Sequence, residues 1–210
     1  MRGFCRAMKV AIVSGRYERA EAEACRSLVR SGDKIVELGA AVGYVGLFCL
    51  TQGAASRVVS VEANPGSVRR LVHNYDLSGR QAEVISAAIA AKDGEMVFYT
   101  SPEFWGDGVE RRGERQTAIS VPTMSFRTLW SRLDFEPDVV IADIEGAEVD
   151  LPWRELPTAT NRIIIELHPR LRGPAKSFAL LKLLMDLGFE VAFCRDDVFG
   201  LVRSKIPPAG

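Results

Sequence analysis

Val36-Glu37-Leu38-Gly39-Ala40-Ala41-Val42-Gly43-Tyr44-Val45-Gly46 is the stretch whose reading decides the fold. Lys34 to Leu38 is a short, mostly apolar run that predicts a buried strand, and Val42 to Gln52 predicts a helix. Between them, Gly39 lets the backbone turn sharply, and the small Ala40 and Ala41 let a ligand approach the main chain. Strand, glycine turn and helix in this order open the ligand edge of a parallel α/β sheet.

The same alternation continues outward. Glu18 to Arg30 predicts a helix with Ala22, Cys25, Leu28 and Val29 on one face. Arg57 to Val61 predicts a second strand. Pro65 to Asp76 predicts a helix that starts on proline, and Glu83 to Ala88 a third strand. The rhythm breaks at Glu95 to Thr100 and Thr117 to Val121, which read as two extra strands. Between them runs a polar loop, 101–116, holding Phe104 and Trp105. Ser125 to Arg132 predicts a short helix, Asp138 to Ala142 and Arg162 to Glu166 strands, and Pro174 to Leu187 a helix closed by Gly188. Glu190 to Cys194 and Val198 to Arg203, joined by Arg195-Asp196-Asp197, predict a closing hairpin with an antiparallel last strand. The expectation is a single doubly wound α/β domain over 1–210, with an N-terminal extension at 1–16 and an inserted β segment and lid at 94–121.

Composition bounds the partners. A chain of 210 residues with 47% hydrophobic and 26% charged residues can bury a core. Lys plus Arg and Asp plus Glu are 27 each, which gives no long-range pull toward nucleic acid or an anionic membrane. The expectation is therefore no nucleic acid and no membrane, and oligomeric state is unreadable. Met1 to Met8 lacks a signal peptide's apolar core, so a cytoplasmic location is expected. Cys5, Cys25, Cys49 and Cys194 show no metal-type spacing and read as reduced, mostly buried thiols.

Five segments carry chemistry. Glu37 stands just before Gly39, where a pyrophosphate would find an acid a poor neighbour but a cationic ligand a good one. S-adenosylmethionine carries an ammonium and a sulfonium, so Glu37, Gly39, Ala40 and Gly43 favour it over a nicotinamide. Glu62, at the end of the second strand and followed by Ala63 and Asn64, offers two acceptor oxygens to a ribose diol. Ala87 and Ala88, beside Ser86, make a slot for an adenine ring. Asp143, Glu145 and Glu148 crowd the end of the fourth strand, where open α/β sheets bind ligands; Asp143 suits the methionine part or the substrate, and Glu148 suits the first turn of a helix. Glu166 and His168 end the fifth strand, and His168 can take a proton from a hydroxyl near neutral pH. Asp143, Glu145, Glu166 and His168 also have the donor types of an Mg²⁺ site, but spacing does not place them on one centre, so no metal is assigned.

In this order the segments resemble the FkbM-type family of S-adenosylmethionine-dependent O-methyltransferases. Asp143-Ile144-Glu145-Gly146-Ala147-Glu148 carries the resemblance most specifically. The turn from Glu37 to Gly43, Glu166-Leu167-His168, the Tyr17-Glu18 pair and Gly94 to Phe98 add to it. Ala142 departs from a lysine common in that family. The resemblance implies a Rossmann-like seven-stranded sheet with its last strand antiparallel. It also implies methyl transfer to a hydroxyl of a sugar, polyketide or other small acceptor. In that reading His168, Asp143 or Glu145 acts in catalysis, while Tyr17, Glu166 and a lid bearing Phe104 and Trp105 face the substrate. The rival readings are an NAD(P)-dependent oxidoreductase, weakened by Glu37 and Ala41, and a non-catalytic nucleoside-binding protein.

Overall fold

Alternation along β1 (Lys34–Leu38) sorts its side chains between two helical layers. Ile35 faces a cluster built from α1 (Arg19–Leu28), α2 (Tyr44–Thr51) and α3 (Pro65–Ser78), with Leu28, Val45, Leu71 and Tyr75 in it. Val36 and Leu38 face the other layer, where α4 (Phe126–Arg132) and α6 (Pro174–Asp186) contribute Phe126, Leu129, Leu180 and Leu184. The computed structural model describes residues 17–101, 108, 109, 111, 114 and 116–204. The expected N-terminal extension at 1–16 and the lid residues Phe104 and Trp105 lie outside the described residues.

The remaining strands are β2 (Arg57–Glu62), β3 (Glu83–Ser86), β4 (Ala88–Ile89), β5 (Gly94–Thr100), β6 (Thr117–Met124), β7 (Val139–Ala142), β8 (Arg162–Glu166), β9 (Phe189–Arg195) and β10 (Val198–Arg203). A seven-stranded sheet runs β3-β2-β1-β7-β8-β10-β9. Its first five strands pair in parallel, and β10 is antiparallel to both β8 and β9. This is the expected Rossmann-like methyltransferase sheet, doubly wound, with helices on both faces. The order reverses between β1 and β7, so the crevice for a ligand opens at their carboxyl ends.

The third predicted strand does not run through to Ala88. It stops at Ser86, the chain steps over Ala87, and β4 starts a second sheet of order β4-β6-β5. The N–H of Ala87 donates to the carbonyl of Glu62 at this step, which holds the junction of the two sheets over the end of β2. A short helix α5 (Pro169–Arg172), which was not expected, starts directly after His168. A 3-10 turn Ala147–Asp150 follows the β7 loop and carries Glu148 in its first turn, as expected for that residue. No helix among the described residues is long and apolar enough to cross a membrane.

A buried ion pair ties the layers at the opposite end of the sheet. Arg162 donates to both oxygens of Asp33, at 2.7 and 2.9 Å, and to the carbonyl of Leu28. With every polar partner supplied, the pair joins β8 to the loop between α1 and β1.

Candidate active site

Two adjoining cavities lie at the carboxyl ends of β1, β2, β7 and β8. The outer cleft, about 760 Å³, is lined by Gly39, Ala41, Glu62, Ala63, Ala87, Ala88, Ile89, Asp143 and Glu145, with Tyr17 and Glu18 at its rim. The inner cavity, about 390 Å³, lies under Tyr17 and Tyr44 and holds five carboxylates: Glu18, Glu21, Glu37, Asp143 and Glu166. The rings of Tyr17 and Tyr44 meet edge to face at 5.4 Å.

Backbone geometry builds the floor. The N–H groups of Gly39 and Ala40 both donate to the carbonyl of Val61, which pins the turn to β2. Ala41 has φ 47°, the left-handed region where a glycine motif would place glycine. Its N–H donates to Glu62 Oε2 at 2.8 Å, while Glu62 Oε1 accepts from the Asn64 N–H at 2.7 Å. Both oxygens of Glu62 are thus oriented by the main chain, and the carboxylate still lines the cleft. Asn64 is spent elsewhere. Its side chain caps α3 by accepting from the Gly66 N–H, and it does not line either cavity. Ser86 is exposed and outside the cleft, whereas Ala87 and Ala88 line it. Ala40 lines only the inner cavity, and Gly43 lies behind the turn, against Leu71 and Tyr75.

Glu37 corrects the sequence reading most sharply. It was expected to face the amino-acid end of the cofactor. Its carboxylate instead turns beneath α2, accepting from the Gly46 N–H at 3.0 Å and from Ser60 Oγ at 2.6 Å. Ser60 in turn meets Tyr75 Oη at 2.8 Å. Glu37 is 3% exposed, and burial raises its pKa to about 7 against the lowering effect of these donors. Glu37 lines the floor of the inner cavity.

The inner acids hold protons more tightly than free carboxyls. Burial, then the neighbouring Glu21, raises Glu18 to about 8. Burial, then a hydrogen bond with Glu21, raises Glu166 to about 9. Burial first and Glu166 next push Asp143 well up. Oxygens of Glu18, Glu21 and Asp143 lie within 4.8 Å of one another. Each raised group binds its proton better in the folded than in the unfolded chain. Its stabilising effect is full below the ordinary carboxyl pKa and disappears as pH rises through the folded value. For Glu37 that window runs from about 4.5 to about 7. The melting temperature is therefore expected to fall as pH rises across this window. Glu37→Gln is expected to flatten the slope by at most about 1.4 kcal/mol per pH unit. Thermal melts from pH 4.5 to 9 check this, and an unchanged slope in the variant refutes it.

His168 lies one layer behind the cleft. It lines neither cavity and is 12% exposed at its side chain. Its Nε2 is 3.5 Å from Asp143 Oδ1 and 3.7 Å from Glu145 Oε2, and its Nδ1 is 3.1 Å from Glu148 Oε1. Asp143 and Glu145, which line the cleft, are the carboxylates that His168 Nε2 faces. Glu148 is fully buried and clamps the β7 loop, its Oε1 accepting from the N–H groups of Ile144 and Gly146. Glu21, Phe98 and Val109 line the cavities without having been singled out as site residues. Glu21 lies three residues beyond Glu18 on the cavity side of α1, a spacing that could have flagged it.

The comparisons bear on this geometry. The family model for the TRM5/TYW2 methyltransferase domain matches residues 8–100. No curated protein matches the chain in sequence. The methyltransferase FkbM of Methylobacillus flagellatus KT is 17% identical with a TM-score of 0.54, over 90% of this chain and 47% of its own. Sp1610 of Streptococcus pneumoniae, provisionally named a tRNA (m1A22) methyltransferase and solved with S-adenosyl-L-methionine, is 13% identical with a TM-score of 0.53, over 90% and 74%. PH1948 of Pyrococcus horikoshii, provisionally named an RNA methyltransferase, is 14% identical with a TM-score of 0.53, over 90% and 84%. The exclusion of nucleic acid drawn from the neutral net charge is overturned: the matching family model and these RNA-directed neighbours share the fold. Net charge averages the whole surface and says nothing about one face. Fold, crevice and family-model match together make this chain an S-adenosyl-L-methionine-dependent methyltransferase.

Proposed function

We propose that the protein transfers a methyl group from S-adenosyl-L-methionine to a hydroxyl of a small acceptor such as a sugar or polyketide. The observation that carries the reading is one cleft that joins the Glu62-bearing turn to Asp143 and Glu145. Adenine lies against Ala87, Ala88 and Ile89, the ribose diol donates to Glu62, and the methionine end reaches the acids around Asp143. The acceptor oxygen forms a bond to the methyl carbon as the sulfur–methyl bond breaks. The electron pair returns to sulfur, giving S-adenosylhomocysteine, and the hydroxyl proton passes to Asp143 or Glu145. Positioning supplies most of the rate.

An RNA acceptor is the second reading, and the family-model match over residues 8–100 favours it. Incubation with methyl-tritiated cofactor separates the two. Label in hydroxylated small molecules is the expected result. Label in tRNA alone moves the acceptor to RNA. Tight cofactor binding with no label in either leaves a nucleoside-binding protein without transfer.

A further inference from the structure

We infer that Asp143, Glu148 and His168 form a site for one divalent cation, directly behind the cleft. One atom from each lies within 4.8 Å of the others, although the residues come from the β7 loop, a 3-10 turn and the end of β8. Ligands held about 2.0–2.2 Å from one ion are separated by roughly 3 to 4.3 Å, so the three are within roughly 1–2 Å of a chelating arrangement.

The burial of Glu148 is the second observation. Its side chain is 0% exposed. Oε1 is engaged by two backbone N–H groups, while Oε2 is buried and takes no hydrogen bond from any described residue. Asp143 Oδ1 is likewise buried and takes none. An uncompensated buried carboxylate oxygen is costly, and a cation is the ligand that removes the cost.

Charge points the same way. Three carboxylates, Asp143, Glu145 and Glu148, come within 3.1 to 3.7 Å of one imidazole. A protonated His168 would still leave net negative charge. Arg172, whose stem passes over Gly146, sends its guanidinium to Asp150. One imidazole with hard carboxylate oxygens suits Mn²⁺ or a similar ion better than a soft-ligand metal.

Titration of chelator-stripped protein with MnCl₂ alone, followed by the loss of the free-ion EPR signal, tests the site. The expected result is one saturable Mn²⁺ per chain in the micromolar range, with the melting temperature raised by saturating Mn²⁺. His168→Asn and Glu148→Gln are each expected to weaken this at least tenfold. Glu62→Gln is expected to keep Mn²⁺ binding while losing cofactor affinity, so failure of the metal site and failure of the cofactor reading are distinguishable. Retained cofactor affinity shows that His168→Asn is folded. Absence of saturable Mn²⁺ binding up to millimolar concentration overturns the inference. So does equal binding by a His168→Asn protein that still binds cofactor.

Discussion

Gly39→Ala is expected to lower the melting temperature by roughly 6–15 °C and to abolish measurable cofactor binding. A Cβ at this position would lie 1.7 Å from the carbonyl oxygen of Asp143 and 2.8 Å from its carbonyl carbon. Those are backbone atoms at the end of β7, so no rotamer change relieves the clash. Either the turn or the β7 loop must move. The residue also has φ +84°, which costs a side chain about 1–2 kcal/mol by itself. Overpacking adds about 1–3 kcal/mol, and for a chain of this size each kcal/mol is about 2–4 °C. Gly32 supplies the control. It has φ +88° but nothing within 4 Å of the added Cβ. Gly32→Ala is expected to show only the backbone cost and full cofactor affinity. Calorimetric melts and cofactor titrations of both variants check this, and equal losses in the two would show that the approach of β1 to β7 is not what glycine protects.

That close approach explains why the fold was legible. Gly39, the short apolar runs and the proline and glycine punctuation are local signals, and Lys34–Leu38, Arg162–Glu166 and Val198–Arg203 form the strands expected of them. The break after Ser86 was not legible, because Ala87-Ala88-Ile89 is as apolar as the strand before it. Tertiary pairing of β4 with β6 decides it. The site was half legible for a similar reason. Residues at strand ends, such as Glu62 and Asp143, were placed by the alternation alone. Glu37 was misplaced because proximity to Gly39 in sequence was read as proximity to the ligand. Strand alternation was the better guide: Glu37 shares the face of Ile35, which packs under α2 and α3. His168 was drawn too far forward, since its distance behind Asp143 depends on α5, which the sequence did not announce.

Glu62→Gln is expected to weaken binding of both S-adenosyl-L-methionine and S-adenosylhomocysteine by 30-fold or more. Two backbone N–H groups already fix the carboxylate, one on each oxygen. An amide cannot accept on both sides. Its NH₂ would face either Ala41 or Asn64, and the turn that carries Gly39 would lose one tether as well as the charge. A hydrogen bond to a charged group contributes about 1.5–3 kcal/mol, and tenfold in affinity is about 1.4 kcal/mol. Because the ribose is common to cofactor and product, the two affinities should fall in parallel. A loss confined to the sulfonium form would instead mean that Glu62 acts as a general negative charge. Glu37→Gln gives the contrast. Its carboxylate contacts Gly46 and Ser60, and its replacement is expected to change either affinity by less than threefold. Isothermal titration of the two variants against both ligands separates a carboxylate that holds the nucleoside from one that holds the helix beneath it. An order reversed between them would move the ribose to the other side of the turn.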